Sequence, residues 1–115
     1  MSSEFRRKPR RHPAEPIMVI DAMTGTSVGR IGNLSESGLL LIATEPMRED
    51  ALYQFQFRLP GADGSEASFE VGAHLLWHDE DSAPGMAWTG FRFIAIPEAQ
   101  AERLRSWIAA TAQQG

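Results

Sequence analysis

Tyr53-Gln54-Phe55-Gln56-Phe57-Arg58-Leu59 alternates apolar or aromatic side chains with polar ones without a break. Side chains two apart share one face of a strand, so this stretch reads as a half-buried strand. Pro60-Gly61-Ala62-Asp63-Gly64-Ser65 follows and predicts a hairpin loop. Alternation then resumes, with Phe69, Val71, Ala73, Leu75 and Trp77 set against Glu70, Gly72, His74, Leu76 and His78. Two such strands joined by a turn make a β-hairpin, and the rest of the chain is read outward from it.

Toward the N-terminus, Ile17-Met18-Val19-Ile20 is a short apolar run closed by the turn-prone Thr24-Gly25-Thr26. Val28 to Ile31 is a further strand candidate. It leads into the polar loop Gly32-Asn33-Leu34-Ser35-Glu36-Ser37-Gly38, and Leu39-Leu40-Leu41-Ile42-Ala43 follows as an apolar run too short for a typical helix. Toward the C-terminus, Asp79 to Gly85 reads as a loop and Met86 to Ile94 as the last strand, interrupted by Gly90. Pro97-Glu98 suits the first turn of a helix, where proline loses no hydrogen bond and an acid meets the positive end of the dipole. Ala101, Leu104, Ile108 and Thr111 then recur at helical spacing, so a helix is expected over about 97–113. About six antiparallel strands on so short a chain predict a mainly β protein: a small six-stranded β-barrel or tightly curled sheet, with a C-terminal α-helix over one open end or face.

At 115 residues, 43% hydrophobic and 23% charged, the composition is that of one ordinary globular domain. Cysteine is absent, which excludes a disulfide framework and a thiolate metal site and suits a cytoplasmic protein. No apolar run reaches transmembrane length, and the basic N-terminus lacks the apolar stretch of a secretory signal. Charge is unevenly placed. Arg6, Arg7, Lys8, Arg10 and Arg11 face a single acid, Glu4, in the first twelve residues, whereas acids outnumber arginines in the remainder, giving −4 overall. A basic arm on an acidic body predicts a localised anion site and argues against general nucleic-acid binding. Pro9, Pro13 and Pro16 deny the arm, residues 1–16, a regular helix, so the barrel and helix are assigned to 17–115.

Two elements carry chemistry. Arg7 and Arg11 are spaced R-x-x-x-R, as are Arg6 and Arg10. Guanidinium is planar, permanently charged and forked, so it grips a phosphate or the O6/N7 edge of guanine with two hydrogen bonds. Alone, such a run is more simply a solvated basic tail. The second element is Asn33-x-Ser35-x-x-Gly38, between two strand candidates. Short polar side chains turn the backbone and still present acceptors outward, and Gly38 permits φ > 0 or the close approach of a ligand. Alone, it reads equally as an ordinary turn.

An R-x-x-x-R arm followed by one hairpin and then [D/N]-x-S-x-x-G before an apolar strand resembles the PilZ domain family. Arg6-Arg7-Lys8-Pro9-Arg10-Arg11-His12-Pro13 resembles its arginine arm, and Asn33 to Gly38 its second motif. The closing Gly90-Phe91-Arg92-Phe93 strand and the amphipathic helix also fit. The resemblance implies a six-stranded β-barrel that binds cyclic di-GMP, with Arg6, Arg7, Arg10, Arg11, Asn33, Ser35 and Gly38 as ligand residues. In the family an apolar residue and often a proline follow the second arginine. Arg11-His12-Pro13 matches that better than Arg10-Arg11-His12, which assigns the core pair to Arg7 and Arg11. An arginine just before the pair tends to accompany an intercalated ligand dimer, and Arg6 holds that place. Asn33 stands where the family more often has aspartate; an amide offers one oxygen and no charge, which bears on affinity.

Trp77 reads either as a core or strand-end residue or, as in some PilZ domains, as a stacking partner of the nucleotide. Trp88 and Trp107 read as structural. His74 and His78, four apart on a strand, stand too far apart to chelate readily, so no metal site is expected. No spacing suggests a catalytic triad or a P-loop, so no enzyme and no cofactor is expected. The expected function is a ligand-sensing adaptor that changes conformation and signals to an effector protein, as a monomer or weak dimer. The alternative is a nucleotide-independent interaction module, as in type IV pilus systems; such PilZ proteins tend to lack the two motifs.

Overall fold

A computed structural model describes residues 9–61, 64–83 and 86–114. Its strands are β1 (Met18–Asp21), β2 (Thr26–Leu34), β3 (Gly38–Ala43), β4 (Leu52–Pro60), β5 (Glu66–Ala83) and β6 (Met86–Ala95), followed by helix α1 (Glu98–Gln114). All neighbouring strands run antiparallel, and the order β1-β2-β3-β6-β5-β4 closes into a barrel. Closure gives every strand a hydrogen-bonded neighbour on each side.

The hairpin that decided the reading is β4–β5. Its register runs from Leu52↔His74 to Pro60↔Glu66 without a slip, so each inward residue keeps its face. Phe55, Phe57, Leu59, Phe69, Val71, Ala73 and Leu75 are all buried. Val19, Val28, Ile31, Leu34, Leu39, Leu41 and Phe91 complete the barrel interior, and Leu104, Trp107 and Ile108 of α1 join the same cluster. These helical residues recur three and four apart, which puts them on the one stripe that faces the barrel.

Three expectations are corrected. The polar loop predicted from Gly32 to Gly38 is shorter. β2 continues through Asn33↔Leu40 and Leu34↔Leu39, and a register shift between Ile31 and Asn33 absorbs the extra residue, leaving Ser35-Glu36-Ser37 as the turn. Asp79 to Gly85 is not a loop over most of its length. β5 runs on to Ala83 because β6 pairs with it there (Asp79↔Trp88, Ala83↔Met86), and a long pairing partner overrides local polarity. Trp77 therefore does not end its strand. Trp88 lies in β6, as its reading as a structural strand residue expected, and is 40% exposed.

Candidate functional site

The arm enters the site through one pair of backbone hydrogen bonds. Arg11 and Leu34 exchange N–H···O contacts of 2.9 and 3.0 Å, an isolated antiparallel bridge that lays the arm beside the end of β2. Directly opposed residues in such a pair present their side chains to the same face. Leu34 points into the core, so Arg11 turns toward the covering helix. There its guanidinium donates to the Trp107 carbonyl at 2.7 Å and lies 3.9 Å from the centroid of the Trp107 ring.

Arg10, the preceding residue, must then face the other way. Its Nε donates to Asn33 Oδ1, and its Nη1 donates to Ser35 Oγ at 3.2 Å. Of the two adjacent arginines it is thus Arg10, not Arg11, that meets the loop. This differs from the register expected from the proline that follows Arg11. Arg6 and Arg7, the partners of the two spacings, lie outside the described residues. Burial lowers the Arg10 pKa from its usual value, yet a guanidinium remains protonated at any physiological pH. Asn33 accepts without contributing a negative charge, so the positive charge of Arg10 stays uncompensated by its own partners.

Ser35 is fully buried and holds the turn together. Its Oγ accepts from the Ser37 N–H at 3.2 Å, lies 3.1 Å from Ser37 Oγ and 3.3 Å from the Gly38 carbonyl. The Ser35 N–H also bonds to Gly38 O at 2.9 Å, and Phe93 N–H to Ser37 O at 2.9 Å, which ties the turn to β6. Gly38 is required by close approach, but of protein rather than ligand. A Cβ built there would lie 2.1 Å from the Phe91 carbonyl oxygen.

Beside this turn lies a groove of about 290 Å³, lined by Arg10, Asn33, Ser37, Gly38, Leu40, Trp77, Gly90 and Arg92 among others. Trp77 reaches it because the β5–β6 register shifts between Leu75↔Phe91 and Trp77↔Gly90. The bulge turns the indole outward, 48% exposed, and lays it on Gly90, where a Cβ would meet Nε1 at 2.3 Å. Gly90, read in sequence as an interruption, is thus the seat of the tryptophan. Arg92 and Leu40 were not singled out from sequence; the signal available was their outward phase beside Gly90 and Gly38. A larger depression of about 930 Å³ lies on the other side of the arm, against β4, β5 and α1. Its guanidiniums are engaged, Arg58 with Glu66 at 3.8 Å and Arg11 with Trp107, whereas Arg10 and Arg92 stand in the smaller groove with no carboxylate among the described residues that line it. Electrostatics therefore favours the smaller groove as the anion site. His74 and His78 are occupied with Asp50 (2.6 Å) and Glu49 (3.4 Å), and no cluster that could hold a metal occurs among the described residues.

Comparison with known proteins agrees with this architecture. The Bacillus subtilis inhibitor of motility MotI/DgrA is similar in structure, with a TM-score of 0.78 at 12% identity over 95% of this chain and 52% of that one. YcgR of Escherichia coli, in a complex with c-di-GMP, gives 0.73 at 19% identity over 95% of this chain and 46% of that one. The PilZ domain of Escherichia coli YcgR with c-di-GMP gives 0.68 at 18% identity over 95% and 92%. The chain thus spans about half the length of the first two, and identities this low carry the fold alone. No curated protein matches in sequence. The family model for the PilZ domain matches residues 4–110, from the arm through most of the helix, and the chain belongs to that family.

Proposed function

We propose that this protein is a receptor for cyclic di-GMP whose arm and turn clasp the nucleotide at the groove beside β2, β3 and β6. The observation that carries the reading is the Arg10 guanidinium, docked on Asn33 and Ser35 at the lip of a groove that also presents Trp77. Cyclic di-GMP has two phosphates and two guanines. A forked cation binds either the phosphates or a guanine edge, an amide oxygen accepts from guanine N–H, and an indole stacks on a base. Because Arg10 meets the loop, the R-x-x-x-R pair of this reading is Arg6 with Arg10, and Arg7 and Arg11 are its neighbours.

The geometry supports a mechanism for signalling. Arg10 and Arg11 are consecutive and point to opposite sides, one to the groove and one to α1. A ligand that draws Arg10 toward its phosphates pulls on the same backbone that holds Arg11 over Trp107. Binding at the groove is thereby coupled to the seating of the helix and to the surface that an effector protein meets. The absence of cysteine suits action in the cytoplasm, and no helix among the described residues is long and apolar enough to cross a membrane.

Calorimetric titration with cyclic di-GMP tests the reading. The unmutated chain binds, Arg10→Ala and Ser35→Ala bind far more weakly, and Arg11→Ala loses less. No binding by the unmutated chain overturns the receptor assignment, and undiminished binding by Arg10→Ala overturns the site. The stoichiometry of the same titration distinguishes one ligand from an intercalated pair.

A further inference from the structure

We propose that Arg92 is the second anchoring arginine of the groove. It faces the arm from the opposite wall and grips an acceptor pair of the bound nucleotide with its planar fork. The inference rests on the receptor reading above and adds a residue that lies outside both motifs. Arg92 is on β6, directly opposite Gly38 of β3, which has no side chain to cover it. It stands two residues beyond Gly90 and so on the same outer face, about 7 Å along the strand from the seat of the Trp77 indole. A base lying on that indole presents its edge toward Arg92, and a phosphate beside the base is also within the fork's range.

What separates Arg92 from an ordinary solvated arginine is the wall it stands on. It is exposed, and among the described residues its guanidinium has no hydrogen bond or ion pair. Among the described residues, Arg10 and Arg92 are the two cations that line the groove and no carboxylate lines it, on a chain whose net charge is −4. A cation left unpaired beside an aromatic platform is suited to a ligand that is both anionic and planar. Phosphate oxygens and the O6/N7 edge of guanine both offer the paired acceptors that a guanidinium fork matches and an ammonium does not.

The test is calorimetric titration of the whole chain with cyclic di-GMP, with thermal unfolding of each variant alongside. Arg92→Ala is expected to weaken affinity about 10- to 100-fold and to leave the melting temperature nearly unchanged, since no hydrogen bond or ion pair among the described residues is lost. Arg92→Lys is expected to stay nearly as weak, because a point charge lacks the fork. Arg103→Ala, which removes the same charge from the exposed face of α1, is expected to bind normally. Full affinity in Arg92→Ala overturns the proposal while leaving the receptor reading intact. Full rescue by Arg92→Lys overturns the bidentate grip, and an equal loss in Arg103→Ala overturns a local contact in favour of overall charge. Failure of the unmutated chain to bind removes the receptor reading and this inference together.

Discussion

Gly38 and Gly90 face the same groove but are glycines for different reasons, and the difference is measurable. At Gly38 an added methyl would press on the Phe91 carbonyl, a backbone atom in the adjacent strand. The backbone cannot swing aside, so Gly38→Ala is expected to cost about 1–3 kcal/mol of stability, the usual range for overpacking. At Gly90 the obstacle is the Trp77 side chain, which can rotate away. Gly90→Ala should therefore cost little stability and lose the stacking platform instead. Urea unfolding and ligand titration on the two variants separate them: the first loses mainly stability, the second mainly affinity. The same scale explains why adjacent arginines do different work. Alternation along an extended segment sends Arg10 to Asn33 and Ser35 and Arg11 to Trp107.

At the scale of elements, α1 is held from both sides. Leu104, Trp107 and Ile108 bury one stripe against the barrel, and the arm reaches over to Trp107 with Arg11. Leu104 is fully buried, so Leu104→Ala is expected to cost about 2–5 kcal/mol through lost burial and the cavity left behind. Arg11→Ala removes a charged hydrogen bond and a cation–π contact and is expected to cost about 1–3 kcal/mol in chemical denaturation. If Arg11→Ala unfolds at the same denaturant concentration as the unmutated chain, the arm does not brace the helix, and the proposed route from groove to helix fails with it. The turn Ser35-Glu36-Ser37 is braced differently. A buried hydroxyl and backbone hydrogen bonds to both β3 and β6 hold it, so it offers a fixed surface against which the arm can close.

For the whole molecule, the arm docks on a closed barrel through the bridge from Arg11 to Leu34. A ligand that binds the folded chain and not the unfolded one stabilises it by mass action. At a free concentration 100 times the dissociation constant the gain is about 2.7 kcal/mol, which for a domain of this size raises the melting temperature by roughly 10 °C. Cyclic di-GMP is expected to produce that shift in the unmutated chain and a much smaller one in Arg10→Ala at the same concentration. Hydrogen exchange localises the effect: slower exchange in the arm with ligand supports closure, and equal protection with and without ligand sinks it.

Much of this protein was legible in its amino-acid order. Strict alternation over Tyr53–Leu59 and Phe69–Leu75 determines two strands and their buried faces, because a period of two has one inward set. Leu104 and Ile108 at helical spacing do the same for α1. The pairing of an arginine arm with Asn33-x-Ser35-x-x-Gly38 pointed to the family that the match over residues 4–110 bears out. What the sequence could not decide was phase. Which of Arg10 and Arg11 faces the turn depends on the bridge from Arg11 to Leu34, a contact between residues 23 apart in the chain that no local pattern encodes. Whether Trp77 points inward or outward depends on a bulge against β6, where one extra residue reverses the alternation that its own strand suggests. The residues of the groove were thus available to sequence reading in kind, but long-range register alone aimed them.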